Sequence, residues 1–129
     1  MSIQIRKVSS KKELKTFVRF ANRLYKGNKY YVPSMPMDDM NTFTPEKNGA
    51  FDFSEAELYL AYKGDEVVGR VAAIINHKAN EAWKVKQVRF GWIDFVDDLE
   101  VSKALLDAVV AYGKARGMEQ VVGPLGFTD

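Results

Sequence analysis

Acidic side chains crowd one short stretch of this sequence. Residues 94–107 hold Asp94, Asp97, Asp98, Glu100 and Asp107 against the single cation Lys103. Carboxylates so placed serve either of two purposes: proton transfer, or stabilisation of a helix N-terminus, where each acid contributes about 0.3–1 kcal/mol and Asp98 is a natural N-cap. Other chemistry is scarce. The chain has no cysteine, which removes disulfides, thiolate metal sites and cysteine nucleophiles together. Its one histidine, His77, has no second histidine or cysteine to share a metal and no obvious nucleophile for a triad, so it reads as a solvated side chain at a strand end. No metal site is expected.

The elements that must position these groups are legible from periodicity. Ile3, Ile5 and Val8 fit a first strand, and Ser10 with Glu13 forms a capping-box pattern opening a helix. Leu14, Phe17, Val18, Ala21, Leu24 and Tyr25 recur at helical spacing, and Gly27 closes that helix. Between Tyr30 and Phe53 the period is lost among Pro33, Pro36 and Pro45, with at most one short helix near Pro36–Met40. A connection this long suggests a segment that shapes a site. Its aromatic residues Phe43, Phe51 and Phe53, with Tyr25, Tyr30 and Tyr31, either wall an acceptor pocket or anchor the loop. Met35, Met37 and Met40 carry the same two readings.

Ala56–Tyr62 and Val67–Ile75 read as strands joined by the turn Lys63-Gly64-Asp65-Glu66, with Gly69 marking a bulge, a close backbone approach or a plain packing position. A polar stretch follows, then a strand over 88–96. Val101, Leu105, Ala108, Val109 and Tyr112 form the stripe of a helix over 100–116, Gly117 caps it, and a last strand runs from Gln120 to Leu125. A helix of that length predicts a right-handed parallel crossover between the last two strands. The fold class is therefore α/β, one domain over 1–129, with antiparallel hairpin strands and one parallel strand–helix–strand unit. The sequence stops at Gly126-Phe127-Thr128-Asp129, directly after a strand, which leaves an edge for a second copy or a further C-terminal segment to cover.

Composition narrows the partners. Net charge is +2, with nine Lys or Arg against Glu13 in residues 1–30. That basic first helix reads as a solvated face, so nucleic acid is not the expected partner. No run approaches the roughly 20 apolar residues of a membrane span and no signal-peptide core opens the chain, so the expected location is cytoplasmic.

The element order resembles the GNAT superfamily of acyl-CoA-dependent N-acyltransferases. The local resemblance lies in Glu66-Val67-Val68-Gly69-Arg70-Val71, in Lys103–Ala108 with Ala115-Arg116-Gly117-Met118, and in Gly91–Phe95 with Gly123–Phe127. The last two segments are similar to a poorly characterised bacterial branch. The resemblance implies transfer of an acetyl group from acetyl-CoA to an amine, with the C-terminal elements of the fold missing. Asp94, on the strand bordering the family's cleft, becomes the candidate base; Glu55, Glu57 and Tyr112 stand behind it without a spacing that singles them out. The cofactor would be held at Trp92, Asp97, Asp98, Glu100, Ser102 and Lys103. The family's loop places a basic residue and glycines there, because exposed N–H groups at a helix start bind phosphate. Here Asp97 takes the basic position, Glu100 takes the first glycine, and only Ser102 stays small. That departure supports an alternative: a non-catalytic module binding a small ligand or a protein through the same cleft.

Overall fold

The computed structural model describes residues 2–33 and 35–127. Strand β1 (Ile3–Lys7) leads into helix α1 (Lys11–Leu24). Ser10 accepts a hydrogen bond from the Glu13 amide at 3.1 Å, while the Glu13 carboxylate accepts from the amide and hydroxyl of Ser9. The capping box thus reaches one residue further back than its usual form. Past Gly27, whose φ is +89°, the irregular connection holds helix α2 (Pro36–Thr42) and two 3-10 turns, Pro45–Lys47 and Gly49–Asp52.

Strands β2 (Ser54–Lys63) and β3 (Glu66–Asn76) form the expected hairpin. The polar stretch then contains a helix that periodicity did not assign, α3 (His77–Trp83), started by Asn76, whose side chain accepts from the Ala79 amide. It buries no residue, so it has no apolar stripe to read. Strand β4 (Gln87–Phe95), helix α4 (Leu99–Ala115) and strand β5 (Gln120–Val122) complete the crossover. The sheet order is β1-β2-β3-β4-β5, antiparallel throughout except for the parallel β4–β5 pair. Strand β5 ends three residues before the expected Leu125: Pro124 has no amide hydrogen to donate to the ladder, and Leu125 N–H returns to the Phe90 carbonyl at 2.9 Å. It is one of the sheet's two edge strands, β1 being the other; Thr128 and Asp129 lie outside the described residues.

Alternation along the central strands builds a helix–sheet–helix sandwich. Leu58, Leu60, Ala72 and Ile74 face α1 and α2 and meet Phe17, Val18 and Phe43. Val71, Ala73 and Ile75 face α4 and meet Val101, Leu105 and Val109. Strand β3 is buried from Val67 to Asn76, which explains its nearly unbroken apolar run. Gly69 marks a close approach as well as a bulge: a Cβ there would lie 2.9 Å from both Leu105 Cδ1 and Val101 Cγ1, and the β2–β3 register slips beside it. Helix α4 therefore sits tight against the sheet.

Candidate functional site

Strands β4 and β5 are paired only at Gln87–Gln120, Val88–Val121 and Arg89–Val122. Beyond them the returning chain is tied to β4 by the Leu125 N–H to the Phe90 carbonyl at 2.9 Å and by Arg89 Nη1 to the Gly126 carbonyl at 3.5 Å. From Gly91 onward no strand among the described residues borders the outer edge of β4. At the same point β4 bulges. Arg70 pairs with Asp94 and Ala72 with Gly91, so Val71 alone opposes Trp92 and Ile93, and Trp92 takes a φ of +46°. A non-glycine residue in that region is strained and recurs at functional bulges.

The bulge turns Trp92 and Asp94 to the α1 face. The Trp92 ring lies 4.8 Å from Phe43 and 5.9 Å from Phe127, so Phe43 and Phe51 both anchor the irregular connection and line a cavity beneath it, whereas Tyr30 is solvent-exposed. Asp94 is fully engaged. Its Oδ2 accepts from Arg70 Nε at 3.0 Å and lies 2.9 Å from Nη2, and its Oδ1 accepts from the Tyr25 hydroxyl at 3.0 Å. Arg70 is 5% exposed and donates its third contact to the Phe17 carbonyl. Burial and the bond to Asp94 raise the Tyr25 pKa. Sequence reading gave Asp94 as a candidate base, but Tyr25 only as part of the α1 stripe and of the aromatic cluster, and Arg70 only within the segment that carries the resemblance; the signal for Arg70 was a lone cation inside the apolar run of β3.

The remaining loop residues gather at the N-terminus of α4, apart from Trp92. Asp98 is the N-cap, accepting from the Glu100 amide at 2.9 Å, while its other oxygen lies 3.7 Å from Lys63 Nζ. Asp97 and Glu100 are exposed, Ser102 donates its hydroxyl to the Leu99 carbonyl, and Lys103 pairs with Asp107 at 3.2 Å. One first-turn amide is thus already satisfied by Asp98, and Asp97 and Glu100 flank it in sequence with two more carboxylates. These residues do not fit a pyrophosphate.

Glu55, Glu57 and Tyr112 meet at the opposite end of the sheet. Glu55 accepts from Arg116 Nε at 2.7 Å and from the Tyr112 hydroxyl at 3.2 Å, and it lies 2.9 Å from His77 Nε2. The His77 bond, with help from Arg116 and Tyr112, lowers the Glu55 pKa against an opposing effect of burial. Burial and the neighbouring Glu55 carry the Tyr112 pKa well above its ordinary value, and burial with Glu57 does the same at Tyr59. His77 is therefore bonded rather than merely solvated. No group of three or more His, Cys, Asp or Glu among the described residues is arranged to hold a metal, and no helix is long and apolar enough to cross a membrane.

Solved GNAT acetyltransferases match this mixed sheet and its parallel strand–helix–strand unit over nearly the whole chain, and the chain has the GNAT fold. AAC(6')-Iy, solved with the bisubstrate analogue CoA-S-monomethyl-acetylneamine, matches over 98% of this chain and 81% of its own, with a TM-score of 0.67 at 16% identity. Among curated proteins, Protein YghO of Escherichia coli (strain K12) is 30% identical over 123 residues, covering 95% of this chain and 31% of that protein. The bacterial ceramide synthase of Caulobacter vibrioides is 30% identical over 122 residues, covering 94% of this chain and 32% of its own length. The chain thus spans about a third of the curated relatives it matches. No family model matches it.

Proposed function

We propose that this chain is a GNAT-like N-acyltransferase unit that joins the acyl group of a thioester to an amine borne on a long apolar chain. The observation that carries the reading is the bulge at Trp92 beside the open edge of β4, which leaves backbone groups free to hold a thioester arm along the strand. Similarity to a ceramide synthase supports the amine class, since a ceramide is an N-acylated long-chain amino alcohol. Acetyl-CoA is the donor implied by the fold, and the α4 loop disagrees with its pyrophosphate end alone. In this reading Asp94 takes a proton from the amine only when the Tyr25 hydroxyl gives up its place on Oδ1, because Arg70 holds Oδ2. A second copy or further sequence would cover the outer edge of β5.

The chain contains no cysteine, so thiol release from an acyl-CoA reports turnover without background. Incubation with acyl-CoA and a long-chain amino alcohol should release thiol and give the amide by mass spectrometry. The second reading, a non-catalytic binding module, is favoured by the capped and acidic start of α4. Binding of a long-chain amine with neither thiol release nor amide formation, from acetyl-CoA or a long-chain donor, would establish it instead.

A further inference from the structure

A cavity of about 860 Å³ opens between α1, α2 and the start of β2, on the sheet edge away from β5. Its apolar lining includes Leu14, Met37, Met40, Phe43, Phe51 and Leu58. The volume falls within the roughly 300–1,000 Å³ typical of small-ligand sites. Its rim is cationic. Lys11, Lys15 and Arg19 stand one turn apart along α1, and Lys47 closes the other side. All four are exposed, and none forms an ion pair with a described residue. Glu57, the only acid on the lining among the described residues, is held at 3.0 Å by Lys7. We infer that this cavity binds a single-chain amphiphile with an anionic head, its alkyl chain beneath α2 and its head among Lys11, Lys15, Arg19 and Lys47.

Two features point beyond a solvated helix face. Lys11 and Lys12 occupy the first two positions of α1, at the positive end of the helix dipole, where cations are disfavoured. The apolar residues below them face a cavity large enough for a ligand, with Met37 left 69% exposed at its mouth. The same rim repels a protonated amine, so the cavity suits the anionic partner and excludes a cationic one. The inference does not require the acyltransferase reading, since binding is measured with neither thioester nor amine present.

The test is calorimetry with dodecanoate and with dodecylammonium, two probes of equal chain length, below their micelle concentrations and at low salt. Dodecanoate should bind about tenfold or more tightly than dodecylammonium. The double variant Lys11→Glu/Lys15→Glu should erase that preference while the melting temperature holds or rises, because acids suit the start of α1. Met40→Trp should fill the cavity and weaken both probes, with circular dichroism confirming the fold. Equal affinity for the two probes, or an anion preference that survives the double charge reversal, would overturn the inference. So would co-sedimentation with phosphatidylglycerol vesicles without uptake of monomeric dodecanoate, which would make the face a membrane contact.

Discussion

Replacing Asp94 with Asn separates a positioning role from a proton-carrying one. The substitution keeps the shape and an acceptor for the Tyr25 hydroxyl, but it removes the charge opposite Arg70, which is 5% exposed and holds Asp94 through both Nε and Nη2. Breaking a buried ion pair from one side costs about 3–5 kcal/mol. The Asp94 side chain is 19% exposed, so water relieves part of the loss and the lower end, about 3 kcal/mol, applies. In a domain of this size that lowers the melting temperature by about 10 °C. Arg70→Met should cost less, since the partner left behind can be hydrated. Adding Asp94→Asn to it should then cost little more, a coupling of at least about 1 kcal/mol in the double-mutant cycle. Urea unfolding followed by circular dichroism measures all four corners. A loss below about 0.5 kcal/mol for Asp94→Asn, or additive losses in the cycle, would refute the buried-pair argument and return Asp94 to the pool of available bases.

Other perturbations test other parts of the fold. Glu55 has a lowered folded pKa, so its bonds to His77, Arg116 and Tyr112 stabilise the fold above the ordinary carboxylate value of 4.5 and are lost as pH falls through the folded pKa; Glu55→Gln should flatten the acid limb of melting temperature against pH. Tyr25, Tyr59 and Tyr112 have raised pKa values, so stability should fall as pH rises above 10, and ultraviolet titration should show three of the six tyrosines ionising late. A Cβ at Gly113 would lie 2.6 Å from Val88 Cγ1, so Gly113→Ala should lose about 1–2 kcal/mol by overpacking despite its better helix propensity, and Val88→Ala should recover part of it in thermal melts. Asp97→Arg with Glu100→Gly leaves the Asp98 cap in place and should tighten coenzyme A about tenfold at low salt; calorimetry showing no change would mean that these acids point away from the ligand.

Most of the sheet could be read because its strands obey simple periods. The hairpin, the crossover helix and the Asp98 cap each combine a local signal with a packing requirement, and all three appear in the structure. Helix α3 was hidden because it buries no residue and so presents no apolar period. The shortening of β5 follows from Pro124, which has no amide hydrogen for the ladder, a breaker that the strand formers around it outweighed. At the site, Asp94 stood out by residue type, whereas its partners Arg70 and Tyr25 lie 24 and 69 residues away and come together only through the β3–β4 register and the docking of α1. Neither bulge at Trp92 nor cavity under α2 has a sequence period at all, since both arise where elements distant in the chain meet.

The starts of the two long helices separate charges that serve the fold from charges that do not. At α4 the order Asp98, Glu100 follows the dipole, caps an amide and brings Lys63 within 3.7 Å, so every part of it contributes to folding. At α1 the box of Ser10 and Glu13 does the same work, yet Lys11 and Lys12 sit between them against the dipole, with no carboxylate among the described residues paired to either. Removing these lysines should therefore leave the helix intact or firmer, whereas removing Asp98 should weaken α4 by about 1 kcal/mol. A stabilising change that costs a binding activity is the signature of a residue kept for a ligand. Lysine variants that hold or gain stability and lose dodecanoate would place the anion-binding end of this fold at α1, on the far edge of the sheet from the helix that resemblance nominated; variants that lose neither would leave these charges without a ligand to explain them.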